Sequence, residues 1–598
     1  MRSILLALVL ACSAAAAVPY RFLLVVGNQW EDPASFLIDR SSEFQMTAAL
    51  LKSWGLPFDI MRLDQQVPDR YHMLDRDGQS RYGTIIWDAP DGNGRDLSLL
   101  ADLNAQGVNF LILGDTIKTG DIARLAGVRF ISDYKADDEA RLDPAHFITR
   151  ALAGREKELL AKVEYDYEGY KVVPETAKAI GFRGAIPFLT VREGPGHGRI
   201  VWVGVQRSPA EFQNQLVRDL LKRSLVWAQG YAVYAEYGRA MILFTDDWGT
   251  SDKTYLPYWH YKTPTEEEIR TGLIEPLQKH HAVMDLNVNT GFVDRKTHRI
   301  LSPWKQRVVD QIDGKTIQDY ASTKRGIDDG LAAGVFTVES HGWTHMLPDL
   351  DSPPGPFWDA PMDGVGSLDW YNEFGDNLRK HEIPAATQRF HISRSLEYLR
   401  EDFGVVPQVI RAGGSLYSKS SVNNTAVIAA HMGFGIATGN SIVYLGPDMV
   451  LSLEPVSYRK PWGYNRPIVE ADIPWTIDAP TWLGFHDRDL ALDHSSVSHL
   501  LDILGSGIRY MHGTEYSAYL HANISGASGE TMQFAVDYDS HYCGWFASHP
   551  SHWTLHLSDE TRHSLDGSVP EKQTIEVSQG LGKHVLWSGK LHAEKASR

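Results

Sequence analysis

Cysteine is scarce in this chain of 598 residues, where only Cys12 and Cys543 occur. Cys12 lies in an N-terminal segment that we expect to be removed, so Cys543 lacks a partner for an intramolecular disulfide. The same count excludes a structural zinc site built on cysteines. We therefore expect a fold that is stabilised by its hydrophobic cores rather than by covalent cross-links.

Basic residues and long apolar runs are scarce as well. Lys and Arg number 58 against 75 Asp and Glu, which gives a formal net charge of −17 and argues against a nucleic-acid binder. After the first seventeen residues, no apolar run approaches the roughly 20 residues of a membrane helix, so no transmembrane segment is expected. Hydrophobic residues make up 43% of the chain, which predicts folded globular domains, three or four at this length.

The first seventeen residues have the features of an export signal. Arg2 provides a charged start, residues 4–11 form a short apolar run, and the alanines at 15–17 supply a small-residue cleavage site. This pattern predicts a secreted, extracellular protein. Cys12 loosely resembles the modified cysteine of a bacterial lipoprotein, which would instead place the chain in the periplasm or at a cell surface.

Residues 18–235 show short apolar runs that alternate with helical patterns. This alternation predicts parallel βαβ units in an open α/β domain, of a flavodoxin-like or amidotransferase-like kind. Residues 194–198 are rich in glycine, but no helix follows them, so they predict a hairpin turn rather than a phosphate-binding loop. The region shows no obvious chemistry of its own. The predicted strands are Phe22–Val26, Phe58–Met61, Thr84–Trp87 and Val108–Leu113.

The rest of the chain divides into two further predicted domains. In residues 236–521, strands and helices still alternate, but the apolar runs now end in acidic, basic and histidine residues. Polar groups at strand ends are typical of a (β/α) barrel, where functional residues collect at one face. In residues 522–598, alternating polar and apolar runs predict a small antiparallel β-sandwich. The expected fold class is therefore α/β with a β domain at the end.

Two segments of the predicted barrel carry groups that can bind a metal. Asp246 and Asp247 stand side by side at the end of the first barrel strand, although an isolated pair of this kind is usually a loop start or a helix cap. His341 and His345 are four residues apart, which places both imidazoles on one face of a helical turn. Two imidazoles and a carboxylate suit Zn²⁺, with Co²⁺, Ni²⁺ and Fe²⁺ as other candidates.

Two further segments end in polar residues that would be unremarkable alone. Arg411 follows a short strand and precedes Gly413 and Gly414, which is typical of a tight turn. His486 ends the hydrophobic run that begins at Trp482, where a buried, hydrogen-bonded histidine is the ordinary interpretation. Their order along the chain, after the acidic pair and the two histidines, makes the set more specific than any one part.

Together these segments resemble the polysaccharide deacetylase family with the NodB-type catalytic domain. That family has a T-F-D-D strand end, then H-x-x-x-H, an R-x-P-Y turn and an L-x-x-H strand, and the resemblance covers about residues 241–486. Three departures mark a divergent branch: the first motif is Phe-Thr-Asp-Asp, Gly342 replaces Ser or Thr, and Gly413-Gly414 replaces Pro-Tyr. The order of domains is similar to that of secreted exopolysaccharide deacetylases of the fungal galactosaminogalactan type.

The resemblance implies a role for each motif residue. Asp247, His341 and His345 would bind the metal, and Asp246 would be the catalytic base. An ionised Asp246 beside a zinc site with an open position can take a proton from an attacking water, and Arg411 would pair with this carboxylate. His486 would protonate the leaving amine, with Asp472 or Asp478 orienting its ring. A backbone N–H near Gly413 or Gly414 would bind the substrate carbonyl.

Four aromatic residues near these motifs could stack on sugar rings, or they could simply pack in the core. They are Trp248, Trp343, Tyr417 and Trp482.

The predicted reaction is hydrolysis of the acetamide of N-acetylhexosamine units in an exopolysaccharide or cell-wall glycan, by a monomer. Three alternatives stay open. A glycoside hydrolase would use Asp246 and a second carboxylate but leave the histidines without a role. A non-catalytic carbohydrate-binding protein would have a decayed site, whereas this sequence keeps every candidate group. An amide hydrolase for small molecules would need neither export nor a β domain.

Overall fold

The computed structural model describes twenty segments of the chain: residues 19–27, 43–63, 65–89, 97–135, 139–160, 168–194, 196–205, 214–294, 297, 299–310, 312–350, 372–376, 381–415, 418, 423–438, 473, 475–527, 531–538, 540–559 and 572–589. The predicted export signal with Cys12, as well as Tyr417 and Asp472, lies outside the described residues. Within these segments, no helix has the length and apolarity needed to cross a membrane. Cys543 is buried, and its thiol donates a hydrogen bond to the backbone carbonyl of Ala518.

The first part of the chain builds a mixed sheet with helices beside it. Its strands are β1 (Phe22–Val26), β2 (Phe58–Arg62), β3 (Thr84–Asp88), β4 (Asn109–Leu113), β5 (Val128–Lys135), β6 (Ala140–Leu142), β7 (Glu168–Pro174), β8 (Lys178–Arg183), β9 (Ile186–Arg192) and β10 (Ile200–Val203). Its helices are Glu43–Ser53, Arg70–Met73, Ser98–Ala105, Gly120–Ala126, Phe147–Arg150 and Gln215–Gln229, with 3-10 turns at Gly114–Lys118 and Glu156–Leu160.

The order of this sheet is β2-β1-β3-β4-β10-β9-β8-β6, with β5 and β7 paired separately. The first five strands are parallel, and β9 joins β10 as the antiparallel hairpin that the glycine-rich turn predicted. Strands β1, β3 and β4 are buried along their whole length, because helices on both faces of a parallel sheet require continuous apolar runs. The predicted open α/β arrangement is confirmed here.

The central part of the chain forms a second, curled sheet. Its main strands are β12 (Ala240–Trp248), β13 (Met284–Val288), β18 (Phe336–Ser340), β21 (Val409–Arg411), β22 (Ile436–Thr438), β23 (Thr481–His486) and β24 (Arg509–Tyr510). Short hairpins lie between them: β14 (Phe292–Asp294) with β15 (Arg299–Leu301), β16 (Arg307–Val309) with β17 (Ile317–Asp319), and β19 (Gly375–Asp376) with β20 (His381–Glu382).

The central sheet has the order β22-β21-β18-β13-β12-β23, with β24 on the start of β12, and all its pairings are parallel. Among the described residues, no pairing joins β22 to β23, so the sheet forms a half-barrel, consistent with a NodB-like barrel.

Helices of this part of the chain connect and flank these strands. They occur at Glu266–Ile269, Arg270–Ile274 (a π turn), Glu275–Lys279, Tyr320–Ala332, Ala385–Phe403, Thr425–His431, Asp487–Leu492, Ser496–Leu504 and Gly513–Leu520. There are 3-10 turns at Asp252–Thr254, Pro257–Trp259, Pro303–Lys305 and Gly413–Ser415.

The C-terminal strands do not confirm the predicted β-sandwich. Strands β25 (Asn523–Ala527), β26 (Met532–Asp537) and β29 (Lys583–Gly589) form one antiparallel sheet, with a 3-10 turn at His541–Ala547. Strands β27 (Trp553–Asp559) and β28 (Lys572–Val577) instead join β11 (Tyr231–Glu236), which the sequence placed in the first domain. This pairing forms because β11 carries apolar residues that enter the same core as Leu555 and Leu557.

A buried ion pair connects the first part of the chain to the central sheet. Lys222, on the helix Gln215–Gln229, lies 2.5 Å from Asp478, in the loop that leads into β23. Asp478 also accepts hydrogen bonds from Trp54 and Gln215. The side chain of Asp478 is fully buried, so these donors compensate the loss of water around its charge. The loop before β23 is thereby fixed against the first sheet.

Candidate metal and catalytic site

The site begins where β12 ends, at the acidic pair. Asp247 has a φ of +71°, a left-handed conformation that side chains other than glycine rarely adopt. This turn brings both carboxylates close to His341, although neighbouring residues of a regular strand point to opposite faces. Asp246 accepts a hydrogen bond from Asn287 on Oδ1 (2.8 Å) and from the Nε of Arg411 on Oδ2 (2.7 Å). The predicted ion pair between Arg411 and Asp246 is present.

Asp247, His341 and His345 converge on one point. The Nε2 atoms of His341 and His345 each lie 3.3 Å from Oδ1 of Asp247, and one donor atom from each of the three residues lies within 4.8 Å of the others. Each residue is only 2% exposed. The Nδ1–H of His341 donates to the backbone carbonyl of Arg411 (2.8 Å), so Nε2, which faces Asp247, is the nitrogen that can bind a metal.

This donor set fits a divalent cation. Two imidazoles and one carboxylate are the ligands that three-residue zinc sites use, and the hydrogen bond from His341 to Arg411 fixes the ring orientation, as is usual for metal-bound histidines. His345 has a φ of +63°, so two of the three non-glycine residues with left-handed φ in the described segments belong to this group. Such conformations cost about 1–3 kcal/mol each and concentrate at functional sites.

The charges of the site stabilise its carboxylates in the ionised form. Burial alone would raise the pKa of Asp246, but the Arg411 guanidinium and then the His341 imidazole lower it below its usual value. Burial would also raise the pKa of Asp247. The charge of His486 and hydrogen bonds with His341 and His345 outweigh this effect, so the pKa of Asp247 lies well below its usual value. The carboxylate of Asp247 in turn raises the pKa of His345 against the effect of burial.

His486 lies beside the acidic pair and is the most open of these groups, with 26% of its side chain exposed. Its Nε2 lies 3.9 Å from Oδ2 of Asp247, and its ring meets the edge of Trp259 at 5.5 Å between centroids. Its Nδ1 lies 4.0 Å from Asp489, whose carboxylate also accepts the backbone N–H of His486. The expectation that Asp478 orients His486 is wrong, because Asp478 is bound to Lys222, Trp54 and Gln215.

The glycine turn after Arg411 lies directly under the imidazole ring of His345. A Cβ atom on Gly413 would stand 2.5 Å from Cδ2 of His345, closer than any real Cβ contact, and Gly414 has a φ of +74°. The Gly-Gly pair at this position therefore makes room for the imidazole and the turn. The guanidinium of Arg411 stacks over the Phe244 ring at 4.7 Å and donates to Thr438, which holds it in place.

The three predicted aromatic contacts that the structure describes are buried. Trp248, Trp343 and Trp482 are 0%, 5% and 4% exposed. Trp248 donates its indole N–H to Thr245 and packs in the core of the central sheet, and Trp482 meets Phe244 edge to face. This degree of burial favours the packing interpretation over contact with sugar rings.

Sequence reasoning missed four residues that support the site. Asn287, the last residue but one of β13, lies next to Asp246, and a polar residue near a strand end in the same sheet is a signal that could have found it. Asp489 caps the short helix that begins after His486. Its position three residues after His486 is the sequence signal that could have identified it. Glu373 and His391 contact the loop of His345, but they lie in segments without a motif, so no pattern in the sequence pointed to them.

Comparisons with known proteins give similarity to solved structures only. No protein-family model matches the chain, and no curated protein sequence does. A proposed polysaccharide deacetylase from Mycobacterium smegmatis is 12% identical, with 47% of this chain and 91% of that chain covered and a TM-score of 0.27. The BpsB deacetylase domain from Bordetella bronchiseptica is 15% identical, with 41% and 71% covered and a TM-score of 0.21. The exo-beta-1,4-mannosidase Op5Man5 from Opitutaceae bacterium strain TAV5 is 14% identical, with a TM-score of 0.22, and 36% of each chain is covered.

Proposed function

We propose that the chain is a metal-dependent hydrolase that removes the acetyl group from N-acetylhexosamine units of a polysaccharide. One observation carries this proposal. A buried Asp-His-His donor set, an arginine-paired carboxylate and a partly exposed histidine meet at the ends of the strands of a parallel sheet. Zinc-type hydrolases need these three parts: a metal site, a base and an acid.

Asp247, His341 and His345 would hold the cation. When bound there, a divalent cation supplies Lewis acidity, which makes water a stronger acid and polarises the acetamide carbonyl. Asp246 takes the proton that the attacking water loses. Asn287 and Arg411 each bind one oxygen of this carboxylate, so its orientation is fixed before the substrate arrives. The low pKa of Asp246 keeps it ionised and able to accept that proton at neutral pH.

His486 completes the reaction at the leaving nitrogen. The water oxygen first forms a C–O bond to the acetamide carbonyl carbon, which leaves an oxyanion; the C–N bond then breaks, and the nitrogen departs as an amine because it receives a proton. His486 is the partly exposed group beside the buried pair, so it can reach a substrate that enters from solvent. A backbone N–H near Gly413 or Gly414 would donate to the developing oxyanion. The products are acetate and a free amine on the sugar.

The substrate class and the location of the protein are part of the proposal. The export signal that the sequence predicts at residues 1–17, the resemblance to secreted exopolysaccharide deacetylases and the β strands at the C-terminal end favour an extracellular or cell-wall polymer, of the kind found in biofilms. A free cationic amine would form on that polymer at each turnover, which changes its charge from neutral to positive.

Acetate release tests this function. The purified protein is incubated with a panel of N-acetylated polysaccharides, before and after treatment with a chelator and again after Zn²⁺ is restored. We expect acetate from at least one polymer, its loss with chelator and its return with Zn²⁺, and a loss of turnover in His486→Ala with the metal retained. New reducing ends without acetate, unaffected by chelator, would indicate a glycoside hydrolase instead.

A further inference from the structure

The loop that carries His345 is held by one buried carboxylate. Glu373 accepts the backbone N–H of Trp343 (3.0 Å), of Thr344 (3.1 Å) and of His345 (3.0 Å). It is 0% exposed. Three consecutive backbone donors on one carboxylate form an anion-binding concavity, which requires a left-handed residue in the loop. Here that residue is Gly342, with a φ of +93°.

Gly342 is required at this position for a second reason. A Cβ atom there would stand 2.2 Å from Oε2 of Glu373. The sequence therefore has glycine, where the family that it resembles has Ser or Thr, at a position where a side chain would displace the carboxylate. The departure from the family pattern and the presence of Glu373 are parts of the same local arrangement.

A helix anchors Glu373 from its other side. His391, within the helix Ala385–Phe403, donates Nδ1–H to Oε1 of Glu373 (2.5 Å) and is itself 0% exposed. Its ring meets Trp343 edge to face at 5.2 Å. A chain of contacts thus runs from this helix through His391 and Glu373 to the backbone N–H of His345.

We propose that Glu373 is the positioning residue of the metal centre: it holds His345 in its left-handed conformation, so that the imidazole lies beside Asp247 and His341 whether or not a cation is bound. This inference rests on the proposed function, because it assumes that the three residues bind a metal. A backbone with φ of +63° is unfavourable for histidine, and the bond from its N–H to Glu373 opposes relaxation to an ordinary conformation. Glu373 is not a member of the Asp-His-His group and would act on the metal only through His345.

The test measures metal binding rather than activity. Co²⁺ is titrated into metal-free protein, and its visible absorption reports both affinity and coordination geometry. Glu373→Gln replaces one acceptor oxygen with an N–H₂ group that faces backbone donors, so we expect a loss of about 10–100-fold in Co²⁺ affinity and a changed spectrum. Glu373→Asp keeps the charge but is shorter, and we expect a smaller loss. If neither variant folds, Gly342→Ala, which displaces the carboxylate, gives the same readout.

A matched control separates positioning from general stability. Asp285 is also a buried carboxylate (1% exposed) that binds a histidine Nδ1–H and a backbone N–H, those of His512 and Gly513, but it does not touch the loop of His345. Asp285→Asn should lower thermal stability and leave the Co²⁺ affinity and spectrum unchanged. Wild-type affinity and spectrum in Glu373→Gln would overturn the inference. Absence of Co²⁺ binding by the wild-type protein would overturn the proposed function and this inference with it.

Discussion

Asp246 and Asp247 are adjacent in the chain, yet their carboxylates bind different partners in one site. Asp246 is held by Arg411 and Asn287, whereas Asp247 faces the imidazoles of His341 and His345. The left-handed φ of Asp247 makes this division possible, because it turns the second carboxylate back toward the first. One strand end thus carries the two carboxylates to which the proposed function gives the separate roles of base and metal ligand.

The ligand assignment predicts the metal content of a double variant. We expect His341→Ala/His345→Ala to bind no more than a trace of Zn²⁺, since one carboxylate is a weak site alone. Metal analysis of the purified protein measures this. His552→Ala/His556→Ala is a control with the same spacing of four residues, outside the site, and it should retain a full equivalent of metal. Full occupancy in the first variant would refute the assignment.

The turn under His345 predicts an effect of adding a single methyl group. Gly413→Ala places a Cβ about where the His345 ring now lies, so we expect the ring to be displaced and metal affinity to fall by at least about 10-fold. Gly120→Ala, at a position with no atom within 4 Å of the added Cβ, is the control and should bind metal as the wild-type protein does. Equal metal affinity in both variants would contradict the packing described for Gly413.

Asp489 predicts an effect on turnover that acts through His486. Its carboxylate lies 4.0 Å from Nδ1 of His486 and accepts the backbone N–H of the same residue, so it helps to hold the ring in place. In Asp489→Asn, the amide oxygen can still accept this N–H and cap the helix, but the carboxylate beside the ring is lost, so we expect turnover to fall by about 10-fold with the metal retained. The exposed Asp493→Asn should leave turnover at the wild-type value. Unchanged turnover in Asp489→Asn would exclude this positioning role.

Outside the site, His521 predicts how stability depends on pH. Burial, followed by the nearby Lys52, lowers the pKa of His521 to about 3, and its Nε2–H donates to the carbonyl of Gly435. The pKa of this histidine is lower in the folded protein than in the unfolded chain, where it is about 6.5. Below pH 6.5 the unfolded chain therefore binds a proton that the folded protein does not, so the stability present above that pH is lost as pH falls toward 3. From pH 7 to pH 5, we expect the protonation of this residue in the unfolded chain to lower the free energy of unfolding by about 2 kcal/mol, as measured by urea unfolding at each pH. His521→Gln should lack that part of the dependence, and an identical pH dependence in the variant would disprove it.

The sequence predicted the parts of the fold that follow from local patterns. Continuous apolar runs such as Phe22–Val26 identified buried parallel strands, and the polar residues at the ends of β12, β18, β21 and β23 identified the site. These predictions succeed because strand ends of one parallel sheet meet at one edge. The order of the motifs also predicted that residues far apart in the chain would meet, as Asp246 and Arg411 do across 165 positions.

What the sequence could not predict depends on long-range packing. Asp478 precedes a predicted strand near His486, but its side chain turns toward Lys222, a partner that no local pattern indicates. In the same way, β11 pairs with β27 across more than three hundred residues, so the predicted boundary of the C-terminal domain could not anticipate it. Besides His391, Glu373 binds three backbone N–H groups, and backbone donors leave no signature in a sequence.

The separation of base from metal ligand tests the account most directly, by acetate release and metal content in Asp246→Asn and Asp247→Asn. We expect Asp247→Asn to lose metal and activity together, because an amide is a much poorer zinc ligand than a carboxylate. Asp246→Asn should keep one equivalent of metal and lose turnover by roughly 10²–10⁴-fold, as expected for a missing general base. Near-normal acetate release by metal-loaded Asp246→Asn would contradict the account, and loss of metal from that variant with retention in Asp247→Asn would reverse the two roles.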